Sequence, residues 1–464
     1  MLATLSQTSS NGIRLAVLTP GAAQSGTPLM ALVATKASMV TPLALDESRR
    51  PNVMLVAGQQ GTDIAPTEAM LVIAKELASG GKLAGLLDRI NVILVPRANP
   101  DGFDKGIATT ADGTDLRYDH LALKTPEARF LAKLARDYRP AVLLDAGEFD
   151  AIEPTLQRFG AVRSNDLAVQ FGLSPNSHEF ITKAAREWLH QPTTAAMAQS
   201  GLRVDWSAEP AGTSAESGFA MGTLEPTTLR NVSSLKNVVS LAIDSRGSDL
   251  GRLHLQRRVH SQVQSMQAIL NSAAARADEL RQVHGFVTRD VASNACRNSV
   301  AIQATPRVEQ RGLSLIDAQT AQMVQKPVSW SSALGISNPR TRSHACGYWL
   351  SPNAVQATER LNMLGVIVQR VAELTPIQGE SYQASQPAGV TSDAPRTSAI
   401  NLQPATMEAA PGSYYVSMNQ PLAYLAAAAL EPDTPYSYYA TGVLRDLSEV
   451  ARVTTLPNMV FEEE

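Results

Sequence analysis

The sequence predicts a layered α/β domain followed by a smaller, strand-rich α+β region. Three observations carry this. Up to about Thr288, apolar runs of strand length alternate with amphipathic helical stretches. Those runs are apolar at successive positions, so both faces of the sheet are covered, as in parallel or mixed sheets. Beyond Thr288 short strand-like runs follow one another with one helical stretch among them. A chain of 464 residues has room for about two or three domains.

Taken in order, Asn52 to Ala57 is a buried strand. Thr67 to Leu77 is a helix, with Thr67 as its cap and an apolar stripe of Met70, Leu71, Ile73, Ala74 and Leu77. Ile90 to Val95 is the next strand, ended by Pro96. Thr125-Pro126-Glu127 opens a second helix, with Thr as cap, Pro at the first helical position and an acid beside it. Ala141 to Leu144 and Leu235 to Ile243 are further strands, and Ser261 to Gln282 is one long helix. Later come strands at Val300–Ala304, Leu313–Ile316, Gly347–Leu350 and Val366–Val371, and helices at Ala354–Leu364 and Pro421–Leu430. Ser385–Arg396, rich in Pro, Ser and Gly, reads as a linker. The expected division is a domain over residues 1–287 and an extension over 288–464.

Composition narrows the function classes. Hydrophobic residues make up 44% and charged residues 18%, enough apolar material for a sizeable core. With 40 Lys+Arg against 43 Asp+Glu, a broad nucleic-acid-binding face is not expected. No stretch reaches the ~18 apolar residues of a transmembrane helix. Met1 to Asn11 lacks the order of a signal peptide, so the expected location is the cytoplasm, or the periplasm or exterior if a signal has been removed. Cys296 and Cys346 either pair in an oxidising compartment or stay as two buried thiols. Two cysteines exclude a four-thiolate zinc knuckle, and seven histidines leave a histidine metal site open only if several converge.

In open α/β sheets the loops at strand ends carry the chemistry. Here they offer Gln59, Gln60 and Asp63; Arg97, Asn99 and Asp101; Asp115, Arg117, Tyr118, Asp119 and His120; Asp145, Glu148 and Asp150; and Asp244 and Arg246. This is an acid-rich rim with a few arginines and one histidine. Asn99-Pro-Asp-Gly102 is a good turn sequence, and the Leu253–His260 cluster reads as the start of a helix packed on the sheet.

An ordered set of segments resembles the zinc carboxypeptidase family (carboxypeptidase A-like). Val95-Pro-Arg-Ala-Asn-Pro-Asp-Gly102 is similar to the family's strand and N-P-D-G turn. Thr67-Glu-Ala69 is similar to the helix after the first metal loop. Arg139-Pro-Ala-Val-Leu-Leu-Asp145 is similar to the strand delivering the third metal ligand, and Asp244-Ser-Arg-Gly247 to the E-T-R-G segment with the catalytic glutamate. The resemblance covers about residues 13–285, and the later segments look like the C-terminal extension of bacterial members. It implies a mixed eight-stranded sheet between helices.

The functional positions depart from the family pattern. Where the family's first metal loop reads H-x-x-E, this chain has Gln60 and Asp63; at the third ligand it has Gly147. The catalytic glutamate corresponds to Asp244, and the pair that holds the substrate carboxylate to Arg117 and Tyr118. The family's carbonyl-polarising arginine falls near Ala108. Catalytic zinc needs three protein ligands and a water. Gly147 supplies no ligand atom, the Gln60 amide is a poor one, and the Asp63 and Asp244 carboxylates are each about 1.5 Å shorter in reach than glutamate. Without zinc, a water's pKa is not lowered from ~15.7 towards ~7.

The expectation is therefore a non-catalytic relative that keeps a scaffold for a peptide or protein partner, with no cofactor unless the zinc site is retained by other means. An active metallocarboxypeptidase or amidase with a non-standard metal site, recruiting His120, and a purely structural or interaction protein stay open. So does a hard-cation site built from Asp63, Asp145, Glu148 and Asp244. Oligomeric state has no signal in the sequence.

Overall fold

The computed structural model describes residues 12–78, 80–153, 155–211, 218–384 and 400–463. The linker-like 385–396 stretch and Met1 to Asn11 lie outside them. A mixed eight-stranded sheet forms the centre. Its strands are β1 Arg14–Ala22, β2 Pro28–Thr35, β3 Asn52–Ala57, β4 Asn91–Val95, β5 Val142–Phe149, β6 Leu167–Phe171, β7 Val204–Trp206 and β8 Val239–Arg246. The spatial order is β1-β2-β4-β3-β5-β8-β6-β7. The four middle strands, β4, β3, β5 and β8, run parallel, so their C-terminal ends share one edge. β3 and β4 are buried along their whole length, which their unbroken apolar runs require.

The helices that position this edge are α1 Ile64–Leu77, α2 Pro126–Tyr138, α3 Leu229–Leu235, α4 Leu255–Ala275 and α5 Ala277–Ser293. Thr125 caps α2 as expected, its Oγ1 accepting from Ala128 N at 3.2 Å. Helix α1 starts three residues earlier than Thr67, at Ile64, with Asp63 at the cap position. Thr67 is instead inside the first turn and donates to the Asp63 carbonyl at 3.1 Å. The predicted Ser261–Gln282 helix is two helices, broken at Arg276. Asn99-Pro-Asp-Gly102 is not a bare turn: it opens the short helix Pro100–Lys105, with the Asn99 side chain accepting from Gly102 N at 2.9 Å.

The most consequential difference is strand length. β5 runs on to Phe149 and β8 to Arg246, because each has a pairing partner that far. Asp145, Gly147, Glu148 and Asp244 therefore sit within strands rather than loops.

Past the central sheet, β9 Ser299–Asp317 and β10 Met323–Ser343 form a long antiparallel ribbon that absorbs the two predicted strands there. The ribbon shares a five-stranded sheet with the short strands Ala161–Arg163, Glu209–Pro210 and Phe219–Ala220. A six-stranded sheet follows toward the C-terminus, including Gly347–Leu350 as predicted. In the Val366–Val371 stretch only Gln369–Arg370 is strand, and the late helices are Val355–Leu364 and Ala423–Leu430. The main hydrophobic core is continuous from β3 and β5 through Tyr348, Leu361 and Leu430. Cys296 and Cys346 are disulfide-bonded, which resolves the two readings left open by the sequence. Among the described residues no helix is long and apolar enough to cross a membrane.

Candidate functional site

The C-terminal edge of the parallel strands holds a small cavity of about 40 Å³ lined by Asp63, Asp145, Gly147 and Asp244, with Arg117 and Arg230 facing them. Strand register explains the grouping. In a parallel pair, residues in register share a face, and residues two apart on one strand do too. Gly147 pairs with Asp244, and Asp145 lies two residues before Gly147, so all three point to one side. Glu148 points to the other. There it accepts from Arg258 Nη2 and Nε of α4 at 2.6 and 2.7 Å, from Ser245 Oγ at 3.2 Å and from Ala65 N at 3.2 Å. Glu148 therefore joins strand to helices and does not belong to a hard-cation cluster. Among the described residues no three His, Cys, Asp or Glu side chains converge to hold a metal ion.

Of the positions that the sequence resemblance sets against family ligands, Gln60 is committed elsewhere. Gln60, with its amide oxygen toward Arg117, accepts from Nη2 at 3.0 Å and Nε at 3.1 Å. A Cβ on Gly147 would lie 2.5 Å from Asp244 Oδ1 and 3.4 Å from Asp63 Oδ2, so the Asp244 carboxylate would have to shift to admit one. The Asp244 carboxylate thus stands beside the space a third ligand would use. Asp63 is buried, and its Oδ1 has no hydrogen-bond partner. Zinc does not fit this donor set, which comprises one amide already bonded, one glycine and one short carboxylate.

Electrostatics follow from crowding acids in a confined space. Burial, then the charges of Glu148 and Asp244, pushes the Asp63 carboxyl well above its usual range. Burial and the nearby Asp145 push Asp244 up to about 7. Arg117 is held charged despite burial by Asp115, to whose Oδ2 Nη2 donates at 2.9 Å. Tyr118 stands at the rim, 41% exposed, with the Arg117 guanidinium 5.4 Å from its ring centre.

His120 is buried and held neutral, its pKa pushed down to about 3 by desolvation. Its Nε2 lies 2.6 Å from Gln59 Oε1, while Gln59 Nε2 donates to Asp145 Oδ1 at 2.6 Å. With imidazole neutral, Nε2–H is the donor, and Gln59 relays between ring and carboxylate. His120 is consequently a buttress of the site, not a recruited ligand.

Sequence reasoning missed Arg230, Glu209 and Gln170, which also line the cavity. Arg230 comes from α3, whose cap Thr228 was the available local signal. Glu209 arrives on a two-residue strand with no recognisable pattern. Both polar atoms of the buried Gln170 side chain lack partners. The Ala108 position contributes only its backbone, as an acceptor for Asn99 Nδ2 at 3.5 Å.

The zinc carboxypeptidase family model matches residues 1–136. "Carboxypeptidase 2" of Trichophyton rubrum is 24% identical over 434 residues, covering 90% of this chain and 78% of the relative. Both matches point to the zinc carboxypeptidase family. "Probable carboxypeptidase 2" of Trichophyton verrucosum is 25% identical over 428 residues, covering 89% of this chain and 79% of that protein. The solved metallo-carboxypeptidase from Burkholderia cenocepacia aligns with TM-score 0.44 and 17% identity, over 60% of this chain and 68% of its own. These curated carboxypeptidase relatives are fungal, so they lend no support to a bacterial-type extension.

Proposed function

We propose that this zinc carboxypeptidase relative is catalytically silent and uses the cleft around Arg117 and Tyr118 to bind a peptide or protein partner. The observation that supports this most directly is the Gly147–Asp244 contact: a carboxylate stands next to the position where the family places a ligand. Gln60 holding Arg117 supports the same reading, because its amide is spent on a guanidinium rather than a metal. Asp244, the counterpart of the catalytic glutamate, is one carbon shorter in reach toward any water it would deprotonate. Its raised pKa also leaves it partly protonated near neutrality. Arg117 and Tyr118 stay partly exposed at the rim, where a guanidinium and an aromatic ring suit a peptide terminus. The cavity beneath is too small to seat a peptide side chain, which favours contact across the rim over insertion. The Cys296–Cys346 bond favours an oxidising compartment.

Zinc incubation, removal of free metal and metal analysis test the proposal, together with release of C-terminal residues from a peptide library. Substoichiometric zinc and no release are expected. One retained zinc per chain with release of terminal residues would overturn it and restore the active-peptidase reading.

A further inference from the structure

A larger cavity, about 660 Å³, lies at the opposite end of the molecule, where the chain enters β3 and β5. Arg49, Arg50, Arg139 and Arg281 line it, against the carboxylates of Asp46 and Asp137. Asp137 is already paired with Arg136 at 2.8 Å, so the lining is cationic in a chain whose net charge is −3. Arg281 has only a loose pair, 3.8 Å to Asp278. Among the described residues Arg49 and Arg139 make no ion pair, and the Arg50 Nη1 atom is buried with no partner.

Backbone conformation adds an independent observation. Arg49 and Arg139 both follow helix ends and both hold left-handed backbones, with φ of 54° and 43°. Such positions are usually glycine or asparagine, since an L side chain is strained there. A cation that merely complements a helix C-terminus could sit anywhere in the last turn without that strain. Two strained arginines, on separate helices, instead meet at one cavity. Strain kept at two converging positions points to a ligand.

We propose that this cavity binds a small phosphate-bearing anion, gripped by Arg49, Arg139 and Arg281, at a site separate from the carboxylate-lined edge. Guanidinium forks match phosphate oxygens two at a time, and four arginines around one cavity suit more than one phosphate group.

Inorganic pyrophosphate is the probe, titrated into the full-length chain at about 0.15 M salt, where long-range attraction between exposed charges is largely screened. Saturable binding to the wild-type chain and a rise in its melting temperature are expected. In Arg49→Gly/Arg139→Gly, affinity should fall at least about tenfold, a difference of about 1.4 kcal/mol. The same variant without pyrophosphate should melt no lower than wild type, because glycine relieves both backbones. If it folds poorly, Arg281→Gln on the exposed face of α5 serves, with a smaller loss of affinity expected. No binding to wild type, or undiminished binding by the variant that folds, overturns the proposal.

Discussion

Gly147 and Asp244 are register partners on adjacent parallel strands, and Asp244 Oδ1 lies 2.5 Å from where a Gly147 Cβ would stand. The two residues share one volume. Register brings a glycine and a carboxylate side by side on one face of the sheet. A Cβ added at Gly147 must push the Asp244 carboxylate from its present position.

Gly147→Ala should cost about 1–3 kcal/mol, the usual range for overpacking. Asp244→Ala should remove most of that penalty. A double-mutant cycle by urea denaturation is expected to show coupling of about 1 kcal/mol or more. Additive effects would mean that the two groups do not compete for space.

The raised Asp244 pKa sets a pH window. A carboxyl bound more tightly to its proton in the folded state contributes its full stability below the unfolded value of about 3.9. That contribution is lost as pH rises through about 7. Asp244→Asn should therefore match wild type near pH 3.5 and exceed it by about 2–4 kcal/mol at pH 8. Equal stability of the two chains at pH 8 would contradict the placement of a strained carboxylate there.

Glu148 and Arg258 form an ion pair that is almost wholly buried. Arg258→Met leaves the buried Glu148 charge with only Ser245 Oγ and Ala65 N as donors and should cost about 3–5 kcal/mol. Glu148→Leu/Arg258→Met should cost much less than Arg258→Met alone. Thermal melts of the three chains decide this, and equal loss in both variants would reduce the pair to packing.

The disulfide joins residues separated by 50 positions. Closing a loop of that length restricts the unfolded chain by about 4 kcal/mol in the chain-entropy model. Reduction, or Cys296→Ala/Cys346→Ala, should lower stability by about 2–4 kcal/mol. A chain unaffected by reductant would show that the bond constrains nothing the fold does not already hold.

Much of the scaffold was legible locally. β3 and β4 announce themselves as apolar runs, and Thr125-Pro126 marks a helix start, because caps and buried strands depend on neighbours in sequence. The absence of histidine at Gln60 and Gly147 was equally plain from the residues. Other features were not legible. β5 and β8 extend beyond their apolar segments because they pair with each other, and pairing is invisible in either strand alone. Within that extension Glu148 meets Arg258, 110 residues distant, a partner no local pattern announces.

The sequence by itself thus carried the resemblance to a carboxypeptidase-like α/β scaffold, and that resemblance sets Gln60, Asp63 and Gly147 at the expected ligand positions. Only the tertiary structure decided what surrounds these positions: Asp244 beside Gly147, Gln60 on Arg117, Gln59 between His120 and Asp145, and Arg230 delivered by a separate helix. The physical reason is that ligand chemistry is a property of single side chains. Occupancy of space and pairing of charge are properties of neighbours, which only the folded chain brings together.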